Sequence, residues 1–111
     1  MFRNVPVAEV FNLANHVEYQ PGQIVSRALA QHESGNVTLF AFAAGEGLTT
    51  HTSTGDALVY LLDGRGQVTI DGQEMTLSPG ESVVMPAHTP HAVYAPEDFK
   101  MLLIISKGKD A

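Results

Sequence analysis

Short apolar runs of strand-forming residues alternate with turn residues from position 23 onward. The pattern predicts strands over 23–31 and 37–44, with a turn at 33–36 between them. Turn residues recur at about the eight-to-twelve-residue spacing that is typical of β-sandwiches and barrels. The run over 37–44 is apolar on both of its faces, so we expect each face to be covered by other parts of the chain.

The clearest local pattern is a hairpin at Asp71-Gly72. Strand-like runs over 67–70 and 73–77 flank this dipeptide, and Asp-Gly tolerates the positive φ angles of a tight hairpin turn. These two strands should therefore pair directly, within an antiparallel β-sandwich or barrel. Further strands are predicted at 58–62, 82–85, 91–94 and 99–105.

The chain has room for one domain and one hydrophobic core, because its 111 residues are close to the commonest domain size. We place a barrel at 23–106 and a short tail at 107–111. The N-terminal segment, residues 1–22, has a less definite pattern. It predicts either a short helical turn or an edge strand, and we expect this segment to be a candidate dimer contact.

Composition narrows the range of partners. Six basic and twelve acidic residues give a net charge of −6, so phosphate backbones should repel the chain and nucleic-acid binding is not expected. The chain has no cysteine, so any metal must be held by histidine, carboxylate or water. Without a dinucleotide fingerprint, no nucleotide cofactor is expected. With no signal sequence and no apolar run of membrane-spanning length, we expect a cytoplasmic location and no membrane partner.

Two motifs carry the strongest functional information. The first is GEGLTTHTSTGDALVYLLDG over 45–64, and the second is GESVVMPAHTPHAVYA over 80–95. Together they resemble the paired motifs of the cupin superfamily, in its small single-domain, cupin-2-like form. The resemblance implies an all-β fold, an antiparallel jelly-roll barrel. The positions that match with their spacing intact are Gly45, His51, Gly64, Gly80, Pro86 and His91.

Four positions of the paired motifs do not match. Ser53 stands where the family pattern has a second histidine, and Ala57 stands where it has a glutamate. In the second motif, His88 replaces a glycine and Ala95 replaces an asparagine. The resemblance therefore implies an intact barrel with an incomplete set of metal ligands, because a hydroxyl and a methyl group replace two of the four.

The same resemblance implies where the site lies. It places His51 and His91 on different strands that face one cavity. Alternate side chains of a barrel strand face the interior, so Ser53 should point inward with His51, and position 57 also faces inward in the family pattern. We therefore expect a ligand-binding site of His51, Ser53, Ala57 and His91. A divalent metal such as zinc, nickel, manganese or iron is a candidate cofactor, held by the two histidines.

Two further residues are candidates for a third metal ligand. Asp56 lies one residue from the missing glutamate position, although regular strand alternation would aim it away from the cavity unless Thr54-Gly55 breaks that alternation. His88 lies three residues before His91 in a loop bounded by prolines, from which it would lean over the cavity mouth. Catalytic metal sites usually have three protein ligands, so the choice between these residues bears on the chemistry.

Three functional hypotheses remain open at this stage. The first is a small stand-alone cupin that binds a small organic ligand in the barrel, with or without a weakly held metal. The second is a metal-dependent dioxygenase, isomerase or decarboxylase that acts on a small carbonyl compound or aromatic acid. The third is a non-catalytic interaction protein. We also expect a homodimer in which the segment before residue 23 adds a strand to the partner's sheet.

Overall fold

The computed structural model describes residues 1–108, and almost all of its regular structure is β. The end of the predicted tail, 109–111, lies outside the described residues. Over the described residues, one short 3-10 helix, Leu13–His16, precedes nine strands. In chain order the strands are β1 Ile24–His32, β2 Gly35–Phe42, β3 Gly47–His51, β4 Asp56–Gly64, β5 Gly66–Ile70, β6 Gln73–Leu77, β7 Ser82–Met85, β8 His91–Tyr94 and β9 Phe99–Ser106.

The strands form two antiparallel sheets. The larger sheet has the order β1-β2-β9-β4-β7, and the smaller sheet has the order β3-β8-β5-β6. The expected antiparallel β barrel is thus confirmed. The predicted hairpin is confirmed as well: β5 and β6 meet at Asp71 (φ 49) and Gly72 (φ 82), the positive values that the dipeptide was expected to adopt.

Strand β2 is covered on both faces, as its apolar pattern predicted. Phe42 points between the two sheets and stacks on Phe99 of β9, with ring centroids 4.7 Å apart and planes inclined by 7°. Leu39 and Ala41 point outward, where they pack with Val17 of the N-terminal segment. The chain therefore has a core inside the barrel and a second, smaller core outside the larger sheet.

The N-terminal segment lies against the outer face of the larger sheet. The side chain of Asn12 accepts a hydrogen bond from the amide of Ala14 and so begins the 3-10 helix. Within residues 1–108, no strand precedes Ile24, so the N-terminal segment forms a short helical turn and not an edge strand. No helix in this part of the chain has the length and apolar character needed to cross a membrane.

A β-bulge attaches this segment to the barrel. The register of β1 against β2 shifts between Ala28 and Ala30, which leaves Leu29 outside the regular ladder. The amide of Arg3 donates a 2.8 Å hydrogen bond to the carbonyl of Leu29, and the side chain of Asn4 donates to the carbonyl of Ala28. The extra residue in β1 thereby provides the acceptor that positions the start of the chain.

Two glycines give a matched test of how closely the barrel is packed. Gly64 (φ 72) ends β4, and a Cβ there would collide with the carbonyl oxygen of Asp98. Gly80 (φ 90) has a positive φ as well, but a Cβ there would meet nothing within 4 Å. Each alanine substitution should incur the left-handed backbone cost of about 1–2 kcal/mol, and only Gly64→Ala should add the collision.

We therefore expect Gly64→Ala to lower the free energy of unfolding more than Gly80→Ala does. The difference should be about 1–3 kcal/mol, which is the usual cost of overpacking. Urea denaturation of the two variants beside the wild type measures this difference. Equal losses would contradict the tight approach of Asp98 to position 64.

Candidate functional site

The two motif histidines face one another across neighbouring strands. His51 ends β3, His91 begins β8, and the two residues are paired in the antiparallel ladder. Their Nε2 atoms lie 3.2 Å apart, with ring centroids separated by 4.4 Å and ring planes inclined by 70°. The structure therefore brings together the two histidines that the sequence placed in one cavity.

Each ring is oriented by a backbone carbonyl two residues earlier. Nδ1 of His51 lies 2.8 Å from the carbonyl oxygen of Thr49, and Nδ1 of His91 lies 3.0 Å from that of Thr89. A carbonyl only accepts, so the hydrogen-bond network assigns the proton of each neutral ring to Nδ1. Both Nε2 lone pairs then point at the same small volume, and they repel one another unless a cation lies near them.

That volume belongs to a cavity between the sheets of about 50 Å³. His51, Ser53, Ala57 and His91 all line it, so the four expected ligand-binding residues share one space. A cavity of this size holds a few water molecules, or one ion with a small group bound to it. The rest of its wall is apolar and consists of Leu48, Met85, Val93, Met101, Leu103 and Ile105.

Burial differs between the two histidines. His91 is only 3% exposed, whereas His51 lies at the exposed rim of the cavity. Burial lowers the pKa of His91 below the ordinary value of 6.5, and the charge of a protonated His51 lowers it further, although the carbonyl of Thr89 opposes both effects. His91 therefore favours the neutral form, in which Nε2 is available as a metal ligand or a proton acceptor.

Among residues 1–108, no charged side chain lines the opposite side of the cavity. The hydroxyl of Ser53 donates a 2.7 Å hydrogen bond to the carbonyl of Gly55, so its proton is used within the turn. Ala57 is buried and presents only a methyl group where the family pattern has a carboxylate. The two substituted positions thus do lie at the site, and they make this side of it neutral and weakly polar.

The two candidates for a third metal ligand, Asp56 and His88, lie outside the lining of the cavity. The carboxylate of Asp56 is exposed and accepts a 2.8 Å hydrogen bond from the amide of Ala87. His88 is exposed, and its amide donates to the carbonyl of Ser53 at 2.8 Å. Neither side chain lines the cavity. Both residues hold the 86–90 loop against the β3–β4 turn, because regular strand alternation turns Asp56 outward as β4 begins.

His88 also has an unusual backbone conformation. Its φ is 62°, in the left-handed region that favours glycine, and the family pattern has glycine at this position. A histidine is tolerated here because its side chain points to solvent and because the Ser53 carbonyl holds its amide. The departure from the motif therefore changes a surface side chain and keeps the turn.

The histidine pair has a separation suited to one metal ion. Two imidazole nitrogens that bind an ion at about 2.0–2.1 Å lie roughly 2.9 Å apart at a right angle and roughly 3.4 Å apart at a tetrahedral angle. The observed 3.2 Å falls between these values. Over residues 1–108, no group of three or more histidine, cysteine, aspartate or glutamate side chains could hold a metal. Protein ligands would thus number two, leaving the remaining positions to water or another ligand.

The backbone anchors were missed in the sequence analysis. Thr49 and Thr89 each precede a motif histidine by two residues, so the same threonine-x-histidine triplet occurs twice, and this repeat is the signal that would have found them. The two threonines orient the histidine rings through their backbone carbonyls and not through their hydroxyls. Every residue has a backbone carbonyl, so the residue type alone does not reveal this role. The part of the cavity wall that β9 supplies was also missed. Its residues are Met101, Leu103 and Ile105, and their alternation along the strand is the signal that indicates it.

Comparisons with known proteins agree on the family. The sequence profile described as Cupin domain matches residues 38–106. A conserved protein of unknown function from Streptococcus pyogenes has a similar structure, with 37% identity, a TM-score of 0.93, and coverage of 96% of this chain and 94% of that one. No protein of curated function matches the chain.

Two further structures are similar. A cupin superfamily protein from Desulfitobacterium hafniense DCB-2 has 34% identity and a TM-score of 0.92, over 97% of this chain and 99% of that one. A cupin 2 conserved barrel domain protein from Leptotrichia buccalis has 49% identity and a TM-score of 0.85, over 87% of this chain and 47% of that one. The motifs, the barrel and these relatives together show that the chain belongs to the cupin superfamily.

Proposed function

We propose that this protein binds a divalent metal ion through Nε2 of His51 and His91, and that the ion binds one acidic or carbonyl group of a small organic molecule. The observation that supports the metal is the 3.2 Å separation of two Nε2 atoms whose Nδ1 atoms both face carbonyls. Neutral imidazole is a common ligand for zinc, nickel and iron, and these ions are the candidates with manganese.

The size of the cavity limits what enters it. A cavity of about 50 Å³ has room for a terminal carboxylate or carbonyl group beside an ion. The remainder of the organic ligand then lies at the mouth, next to the exposed ring of His51. In this proposal, one functional group of the small organic ligand enters the barrel cavity and the rest of the ligand stays outside it.

Charge favours an anionic group. Two neutral imidazoles leave the full charge of a divalent ion in place, and Ala57 contributes no carboxylate to balance it. A buried charge is costly unless it is paired, so an incoming carboxylate would supply the missing compensation. The same substitution that weakens metal binding thus favours a carboxylate-bearing ligand.

Chemistry at this site would follow from the bound ion, which polarises a carbonyl group or lowers the pKa of a bound water. His91 contributes a neutral nitrogen held in one orientation by the carbonyl of Thr89, and the residues of β9 make the adjoining wall apolar. Dioxygenase, isomerase and decarboxylase activities remain hypotheses, since a fold does not fix a reaction.

A metal-free site is the second candidate. The separation of 3.2 Å also fits one proton shared between the two Nε2 atoms, which would give a singly charged pair able to bind a carboxylate. Burial of His91 opposes this alternative, because desolvation disfavours the protonated ring. We therefore favour the metal, and binding measurements separate the two.

Zinc titration of chelator-treated protein tests the histidine pair. We expect about one ion per chain in the wild type, and His51→Ala or His91→Ala should weaken binding at least tenfold, because each removes one of two protein ligands. His32→Ala is the matched control, since His32 is an exposed residue near the end of β1. Isothermal titration calorimetry gives both stoichiometry and affinity. Unchanged zinc binding in the His51→Ala/His91→Ala double variant would contradict the proposed site.

Restoring the missing carboxylate provides a gain-of-function test. Ala57 faces the cavity, so Ala57→Glu should add an oxygen ligand and raise zinc affinity about tenfold or more. Ala57→Gln has the same shape without the charge, and it controls for the extra volume in a small cavity. Both affinities are measured by competition with a chelator. If the two variants bind zinc equally, position 57 does not face the ion.

The metal-free protein should lose stability as the pH falls below about 6.5. The unfolded chain restores the ordinary pKa of His91 near 6.5, whereas burial lowers the folded value, so the unfolded state binds more protons between the two values. The stability that comes from burying neutral His91 is fully present above pH 6.5. It decreases as the pH falls toward the lowered pKa of His91, and it is constant below that pKa. Urea denaturation with chelator at several pH values should show that the free energy of unfolding falls less steeply with decreasing pH in His91→Gln than in the wild type. An equally steep fall in both proteins would contradict the role of His91.

A further inference from the structure

The inner row of β9 ends in a positive charge at the mouth of the cavity. Met101, Leu103 and Ile105 alternate along the strand and line the cavity. Met101 is buried, the next two are half-buried, and Lys107, which continues the same alternation, is exposed. The row therefore runs from the interior of the barrel to solvent, and Lys107 stands where it reaches the surface.

The position of the Lys107 side chain is defined by the strand beside it. Ala57 pairs with Ile105 in the ladder between β4 and β9. Two residues nearer the mouth, the same register sets Gly55 opposite Lys107. A Cβ at Gly55 would lie 2.9 Å from Cγ of Lys107 and 3.1 Å from Cγ2 of Ile105. Because Ile105 lines the cavity, the aliphatic stem of the lysine lies on the cavity side of the sheet.

A glycine at position 55 makes this close approach possible. A Cβ there would also lie 2.7 Å from the carbonyl oxygen of Ser106, so a larger residue would displace the backbone or the lysine stem. The carbonyl of Gly55 accepts the hydrogen bond from Ser53, which lines the cavity. The lysine stem thus lies against the turn that carries one wall of the site.

The backbone of Lys107 is anchored, while its ammonium group is in water. Its amide donates a 2.7 Å hydrogen bond to the carbonyl of Ser34 in the β1–β2 turn. A lysine packs its aliphatic stem on the protein and keeps its charged end solvated. On its other side Lys107 borders an open surface hollow together with Glu33. The ammonium group is therefore accessible to an anion at the mouth.

The other positive charges within residues 1–108 are placed differently. Three of them are used to hold the N-terminal segment or β1: Arg3 donates to Gln31, Arg27 donates to the carbonyl of His16, and Lys100 donates to the carbonyl of Ala14. Arg65 follows the opposite end of β4. The chain has a net charge of −6, so an anion that approaches the site needs a local positive charge.

We propose that Lys107 binds a second acidic group of the organic ligand, so that the site prefers a short dicarboxylic acid to a monocarboxylic acid. This inference rests on the proposed function, in which an ion at His51 and His91 binds the first acidic group. Position 107 lies two residues beyond the cavity wall at Ile105, about 6.6 Å along the strand. A short dicarboxylic acid spans from the cavity to the flexible lysine side chain.

Succinate and butyrate are matched probes for zinc-loaded protein, because they have equal carbon chains and differ by one carboxylate. Lys107→Met keeps an aliphatic stem and removes the charge. We expect this variant to bind succinate about threefold to fivefold more weakly than the wild type, a modest loss because an exposed ion pair is partly screened. Butyrate binding should be unchanged. Isothermal titration calorimetry measures all four affinities.

Two further variants separate a specific contact from a general effect of charge. Arg65→Met removes one positive charge at the opposite end of β4 and should bind succinate as the wild type does. Lys107→Arg keeps the charge and should retain most of the affinity for succinate. Added salt should weaken the binding of succinate more in the wild type than in Lys107→Met, since only the wild type has the charged contact.

The outcomes distinguish this inference from the proposed function. If Lys107→Met binds succinate as tightly as the wild type, or loses succinate and butyrate equally, the role of Lys107 is overturned and the ion site is unaffected. Zinc titration of Lys107→Met should match that of the wild type, because the lysine is not a metal ligand. If the zinc-loaded wild type binds neither acid, the acid-binding part of the proposed function fails, and this inference fails with it.

Discussion

The two-sided register of β9 is the constraint on which most of this structure depends. The strand pairs with β2 on one side and β4 on the other, at the centre of the larger sheet. Successive side chains of a strand point to opposite faces, so Met101, Leu103 and Ile105 line the cavity while Leu102 and Ile104 form the outer surface. A slip of one residue would exchange the two sets and would lose the cavity wall and the outer face together. The chain's internal site and its outer apolar surface thus have a common origin.

The histidine pair depends on a second constraint, the antiparallel pairing of β3 with β8. This pairing sets His51 opposite His91, and each ring is then fixed by a carbonyl of its own strand. The rings need no side-chain partners to orient them, which explains how the site keeps its geometry with a hydroxyl and a methyl group at the other two motif positions. What the substitutions change is charge. The family pattern would place a buried carboxylate here. Among the described residues that line the cavity of this chain, the strongest metal-ligating atoms are the Nε2 atoms of His51 and His91.

Sequence reasoning was most successful where local rules decide the outcome. The Asp71-Gly72 turn and the strands around it follow from turn chemistry and alternation, and strands β7 and β8 were predicted with the residues observed. Strand β3 was not predicted, because Leu48 is its one apolar residue and the strand forms only through pairing with β8. That His51 and His91 would share a cavity came from the family motifs. Their separation, and the outward turn of Asp56, depend on long-range packing that no local pattern encodes.

The bulge in β1 has a consequence for how the protein behaves at high concentration. An edge strand with free backbone groups invites other sheets to add to it without limit. Here the irregular register at Leu29 interrupts the edge, and the amide of Arg3 occupies the carbonyl that the bulge exposes. Edge-to-edge pairing is therefore disfavoured at this part of β1, where the carbonyls of Ala28 and Leu29 already accept hydrogen bonds from the N-terminal segment. One extra residue in a strand therefore protects part of an exposed sheet edge from further strand pairing.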